Sequence, residues 1–190
     1  MQFFWKVPVN RFRPRHDAGP SRPTIAVTLA ESEATEACRR LLAHIRTLSP
    51  GGPARKDRIR PYELPGDLLP HICLLDVLPG DRYRFRLFGT ALVDAYGGDA
   101  TGRMLSEIET GESLEHAHDV CRQVVVSRQP VLTRISFETG LGPIVYDRVV
   151  LPLVDAEGEV HWLMALIRII EGAERHSLLA GLGERLLAVG

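Results

Sequence analysis

The sequence predicts an α+β fold built on one antiparallel sheet, and three observations carry that expectation. Two strand-like runs, 71–77 and 82–87, stand close together, and three more follow at 130–138, 144–153 and 159–169. Between the two groups lie short, glycine-punctuated helical pieces and one long amphipathic helix. Within each group the links between successive strands are only a few residues long, which suits antiparallel neighbours rather than parallel crossovers.

The elements follow in chain order. Residues 1–30 hold Pro8, Pro14, Pro20 and Pro23, with five basic residues against the single acid Asp17, and read as a mobile basic tail. The segment 31–54 reads as an amphipathic helix and linker. Ala34, Ala37, Cys38, Leu41, Leu42, Ile45 and Leu48 share one face of a helix over 33–48, Ser32 is placed to cap it, and Ser49-Pro50-Gly51-Gly52-Pro53 stops it. The main domain is expected over 55–170. Its first strand, 71–77, is apolar on both faces, as a central strand is. Its second alternates strictly, with Tyr83, Phe85 and Leu87 on one face and Arg82, Arg84 and Arg86 on the other, as suits an edge.

Thr90 is placed to cap a short helix through Tyr96, Gly97-Gly98 breaks it, and a second short element spans 101–108. A longer helix over 112–127 puts Leu114, Ala117, His118, Cys121, Val124 and Val125 on one face, and leaves His116 on the other. The last strand, 159–169, is again apolar on both faces. A C-terminal helical segment over 171–190 gathers leucines loosely on one side, although Gly181 and Gly183 weaken it.

Composition excludes several classes. Forty-five per cent hydrophobic and 25% charged residues in a 190-residue chain describe a water-soluble globular domain. A net charge of −1 gives no reason to expect nucleic acid as the partner. Cys38, Cys73 and Cys121 are widely spaced and form no CxxC pair, so neither a disulfide framework nor a zinc knuckle is indicated, and a reducing, cytoplasmic setting is expected. The start MQFFWKVPVNRF is broken by Lys6 and Pro8 and lacks a signal-peptide core, and no run is long enough to span a membrane.

Two strands, short helices, a long helix and three strands form the element order of a PAS domain. The chain resembles the small stand-alone PAS-like proteins of alphaproteobacteria over about 38–170. The resemblance is carried by DRIRP (57–61), LPHICLLDV (69–77), YRFRLFGT (83–90), DATGR (99–103), Gln129-Pro130-Val131 and Leu151-Pro152-Leu153. It implies a five-stranded sheet in the order 2-1-5-4-3, with the short helices and the long helix on one face and the N- and C-terminal helices flanking it. That order would set the two doubly apolar strands side by side. It also leaves an outer apolar face to be covered, by helix 33–48, by the C-terminal segment or by a second copy, so a homodimer is expected.

On this reading the protein is a non-catalytic sensory or regulatory domain, a small-ligand sensor or a protein-interaction adaptor for a signalling partner. The resemblance places a ligand pocket against Tyr83, Phe85, Leu114, His118, Cys121 and Val125. His118 would be the ligand if haem were bound, but a lone histidine at helical spacing is expected to be a core or rim residue. Cys121 in VCRQ superficially resembles the NCRFLQ motif of flavin photosensors, but no Asn precedes it, the FLQ portion is absent and it falls on the long helix. Haem and flavin are therefore not expected, no cofactor is required, and the cofactor stays unknown.

Arg55, Lys56, Arg58 and Arg60 form a candidate anion site, for a phosphate or a nucleotide messenger, unless they pair with Asp57, Glu63 and Asp67. The arginines 82, 84 and 86 are expected to meet an acidic partner or to pair with Glu138 or Asp147. A small-molecule enzyme on the same scaffold is the remaining alternative. GxSxG, HExxH and P-loop signatures are not present, and Asp147 with Arg148, or Asp94 with His118, make acid–base pairs only on paper.

Overall fold

The computed structural model describes residues 25–109, 111–139 and 142–171. They form seven strands: β1 (Ile25–Thr28), β2 (Ala54–Arg55), β3 (Ile72–Leu78), β4 (Arg82–Phe88), β5 (Val131–Thr139), β6 (Gly142–Val154) and β7 (Val160–Glu171). Three α-helices accompany them: α1 (Glu36–Leu48), α2 (Thr90–Tyr96) and α3 (Gly111–Ser127). The sheet runs β1-β5-β6-β7-β3-β4, with β2 parallel to the end of β6.

The five expected strands thus keep their predicted relative order, and two additions extend the sheet. Strand β1 pairs antiparallel with β5, so Ile25–Thr28 of the segment read as a tail is a sheet edge. Pairing of β5 with β6 begins at Val131↔Val150, which leaves the following residues of β6 open on that side, and β2 occupies that edge opposite Leu153 and Val154. Residues 1–24 of the expected tail and 172–190 of the expected C-terminal helix lie outside the described residues.

The doubly apolar strands β3 and β7 are neighbours inside the sheet, and β4 is the opposite edge. Alternation along β7 sends Leu163 and Ala165 to an inner face and Met164 and Leu166 to an outer one. On the inner face, α2 and α3 close a cluster that includes Leu92, Ala117, Val120 and Val124. On the outer face, α1 lays Cys38, Leu41, Leu42 and Ile45 over Val149, Leu151, Met164 and Leu166. The chain's own helix is therefore the cover that the apolar outer face requires, so that face does not call for a second copy.

Helix α1 starts later than its apolar spacing suggests. Glu31–Glu33 makes a 3-10 turn, and α1 begins after Thr35, so Ser32 is not its cap. The backbone N–H of Thr35 instead donates to Asp147 Oδ2 on β6, at 2.7 Å. Thr90 is likewise the first residue of α2 rather than its cap, which is Gly89. A side chain at 89 would strike the backbone oxygen of Pro70 and lie 2.7 Å from that of Ile72. Gly89→Ala is expected to cost about 2 kcal/mol, read from urea denaturation, because backbone cannot yield as a side-chain tip can. A variant as stable as the wild type would contradict this close approach.

The arginine stripe of β4 does not meet Asp147, which Arg134 of β5 holds instead. Arg84 Nη2 and Arg86 Nε donate to the two oxygens of Asp76 on β3, at 2.9 and 2.6 Å. Asp76 is itself buried. Its burial alone would raise the carboxyl's pKa, but the hydrogen bonds from Arg86 and Arg84 outweigh it and hold the pKa below the usual value. A folded pKa below the unfolded one gives stability that is full above about pH 4 and is lost as pH falls through the folded value. The stability gap between wild type and Asp76→Asn is therefore expected to narrow below about pH 4 in denaturation series. A gap that stays constant under further acidification would contradict it.

Candidate functional site

The site builds up from the inner face of the sheet. Tyr83 and Phe85 project inward from β4 and are almost wholly buried, because the alternation that sends their arginine neighbours outward leaves them facing α3. Helix α3 contributes Cys121, buried, and Leu114 and Val125, half-buried against the same cluster. His118 is half-buried, and its ring stands edge-on to Tyr83 with centroids 5.4 Å apart. The six candidate pocket residues thus come together on one wall between the sheet and α3. Phe88 extends the aromatic layer, edge-on to Phe85 at 5.2 Å and to Tyr96 at 5.5 Å.

Burial pushes the Tyr83 hydroxyl up to about 12 and the Cys121 thiol up to about 11. Cys73, on the adjoining strand, is likewise pushed up to about 12 by burial, with a smaller contribution from Cys121. Both thiols are protonated at neutral pH, which makes them poor nucleophiles. Among the described residues, no group of three or more His, Cys, Asp or Glu side chains is gathered so as to hold a metal ion.

One polar constellation in this layer is not contained in the sequence reading. Arg148 of β6 faces inward, between Tyr146 and Val150, directly across from Thr133 of β5. Its Nε and Nη2 are buried and have no hydrogen-bond partner among the described residues, and the same holds for Thr133 Oγ1 and His116 Nε2. His116 is therefore half-buried, not solvated on the far side of α3. It lies four residues before Val120, on the flank of the buried ridge, where spacing alone leaves its exposure open. Glu109, the nearby acid, is engaged elsewhere: Tyr96 Oη donates to its Oε1 at 3.2 Å and Ser113 Oγ to its Oε2 at 2.6 Å. The signal in the sequence was one charge interrupting each apolar face of β6, Asp147 outward and Arg148 inward. That alternation also removes the paper pairing of these two residues as acid and base.

The basic run does not assemble into one site. Arg55 pairs with Asp57 at 2.5 Å, and Lys56 Nζ lies over the Trp162 ring, 5.1 Å from its centroid. These residues border a depression of about 250 Å³ that Asp155 also lines, so acids face the two cations there. Arg58 and Arg60 are exposed and do not line it. Asp67 pairs with Arg40 of α1 instead of the run.

A sheet of this order, with a long helix across its inner face and short helices at one end, is the architecture of PAS domains. The family description "PAS domain" matches residues 33–167. The chain belongs to the PAS domain family. No curated protein sequence matches it significantly. Among solved structures, the PAS domain of Bordetella pertussis BvgS is 20% identical, with a TM-score of 0.37 over 60% of this chain and 83% of that one. The dark structure of the blue-light photoreceptor Aureochrome1 light-oxygen-voltage domain is 14% identical, with a TM-score of 0.44 over 63% and 88%. An RNA-binding light-oxygen-voltage receptor is 17% identical, with a TM-score of 0.44 over 87% of this chain and 45% of that one. No residue role passes from these structures to this chain. No helix among the described residues is long and apolar enough to cross a membrane.

Proposed function

We propose that this chain is a cytoplasmic, non-catalytic PAS regulator that senses a small ligand between its sheet and α3 and reports its state through α1 to a signalling partner. One observation carries the reading: adjacent residues of β6 serve the two layers. Asp147 holds the start of α1 on the outer face, and Arg148 stands in the inner layer. A shift of β6 at one residue moves the other, because the backbone between them is a single paired strand. Tyr83, Phe85, Leu114, His118, Cys121 and Val125 form the apolar wall for the ligand's body. A homodimer is the expected assembly, formed through the flanking segments and not by covering the sheet's outer face, which α1 already covers.

Native mass spectrometry of freshly purified full-length protein tests this reading, together with a pull-down from lysate that compares wild type with a variant weakened at α1. A bound small molecule, or a partner lost when α1 is disturbed, supports it. A chain that carries no molecule and holds no partner in either form contradicts it.

A further inference from the structure

Resting on the reading of the inner layer as a ligand site, we propose that the ligand is a small organic monocarboxylate whose carboxylate is held by Arg148, Thr133 and His116. The two unpartnered guanidinium atoms, Nε and Nη2, are the pair that forms the side-on edge of the fork, which matches the two oxygens of one carboxylate. Other arginines that project from the sheet have found such partners: Arg84 and Arg86 share Asp76, and Arg134 holds Asp147 through Nε at 2.7 Å and Nη2 at 3.0 Å. Arg148 has no such pair among the described residues, and buried N–H groups left without an acceptor carry an uncompensated desolvation cost.

Two further donors stand with it. Thr133 is 1% exposed and is the register partner of Arg148, so its hydroxyl lies on the same face of the adjacent strand. His116 comes from α3, across the layer. Burial lowers its pKa and the charge of Arg148 lowers it further, so the ring is neutral at pH 7 and can donate one hydrogen bond. The same positive charge is felt at Tyr96, Tyr146, Cys73 and Cys121, all buried or protonated groups. Glu109 adds a negative charge nearby but spends its oxygens on Tyr96 and Ser113.

The Arg148 cation and two neutral donors match a single negative charge, and Glu109 close by disfavours any further one. A phosphate dianion would face Glu109 with too few donors. The aromatic and aliphatic lining supplies contact for an apolar body rather than for further polar groups.

Thermal unfolding of the full-length protein, followed by dye fluorescence at constant ionic strength, tests the proposal with acetate, benzoate, octanoate, phosphate and sulfate as probes. Benzoate or octanoate is expected to raise the midpoint by several degrees, acetate less, and phosphate and sulfate not at all. Arg148→Met is expected to abolish the shift, and Thr133→Val to weaken binding about tenfold while leaving the charge in place. If Arg148→Met does not fold, Thr133→Val decides alone, and an affinity equal to that of wild type overturns the proposal. A shift that survives in Arg148→Met, a larger response to phosphate, or no response to any carboxylate also overturns it. A copurifying molecule retained by Arg148→Met would leave the sensor reading standing without this ligand class. No copurifying molecule, no partner and no response to any probe would remove both.

Discussion

Asp147→Ala is expected to lower the unfolding free energy by about 3 kcal/mol and to loosen the first turn of α1. Asp147 is fully buried, and its carboxylate accepts three hydrogen bonds, two from Arg134 and one from the backbone N–H of Thr35. Alanine strands the guanidinium of Arg134 over a site that was built for a charge and frees an orphan donor at the start of a helix. Urea denaturation gives the energy, and amide exchange at 36–40 gives the location. Asp147→Asn keeps an acceptor for Thr35 and is expected to lie between wild type and alanine. Equal stability of Asp147→Ala and wild type, with unchanged exchange in α1, would show that β6 does not anchor the helix.

Leu41→Ala is expected to cost about 3 kcal/mol, within the usual range for a leucine deleted from a packed core. Leu41 has no exposed surface and sits in the middle of the face that α1 presents to the sheet, between Cys38 and Ile45. The cavity would open between α1 and the strands β6 and β7, so the loss should appear with increased exchange of α1 and little change in α3. Chemical denaturation and peptide-level exchange measure both. If α3 loosened as much as α1, the two layers would not be the separate packing units described.

The sheet was legible because its strands differ in kind. Runs apolar on both faces marked β3 and β7 as central, the strand order implied by the PAS resemblance set them side by side, and the strict alternation of β4 with three outward arginines marked an edge. Strand β1 was hidden because IAVT follows a proline- and arginine-rich stretch and is only four residues long. The cap of α1 was misplaced for a different reason: its partner, Asp147, lies 112 residues away, and no local pattern reports a distant acceptor. The apolar wall of the candidate site was legible from the spacing of α3 together with the inward residues of β4. Its polar members were not. Arg148 and Thr133 are brought together by strand register, and His116 sits where helical phase leaves burial undecided.

The same separation explains why the basic run looked like a site. Four cations in six residues suggest convergence, but a 3-10 turn at Lys56–Arg58 spreads them, with Arg55 turned to Asp57 and Lys56 to Trp162. The buried guanidinium nitrogens without a partner among the described residues lie in the inner layer instead, on Arg148 of the strand that also carries the anchor of α1.

On the proposed function, occupancy of the inner layer alters the docking of α1 through β6. Amide exchange of Glu36–Leu48, measured with and without the most stabilising carboxylate, tests it most directly. The ligand is expected to change exchange across α1 in wild type and to leave it unchanged in Arg148→Met. Bound carboxylate that protects α3 and the strands while exchange in α1 stays the same would contradict it.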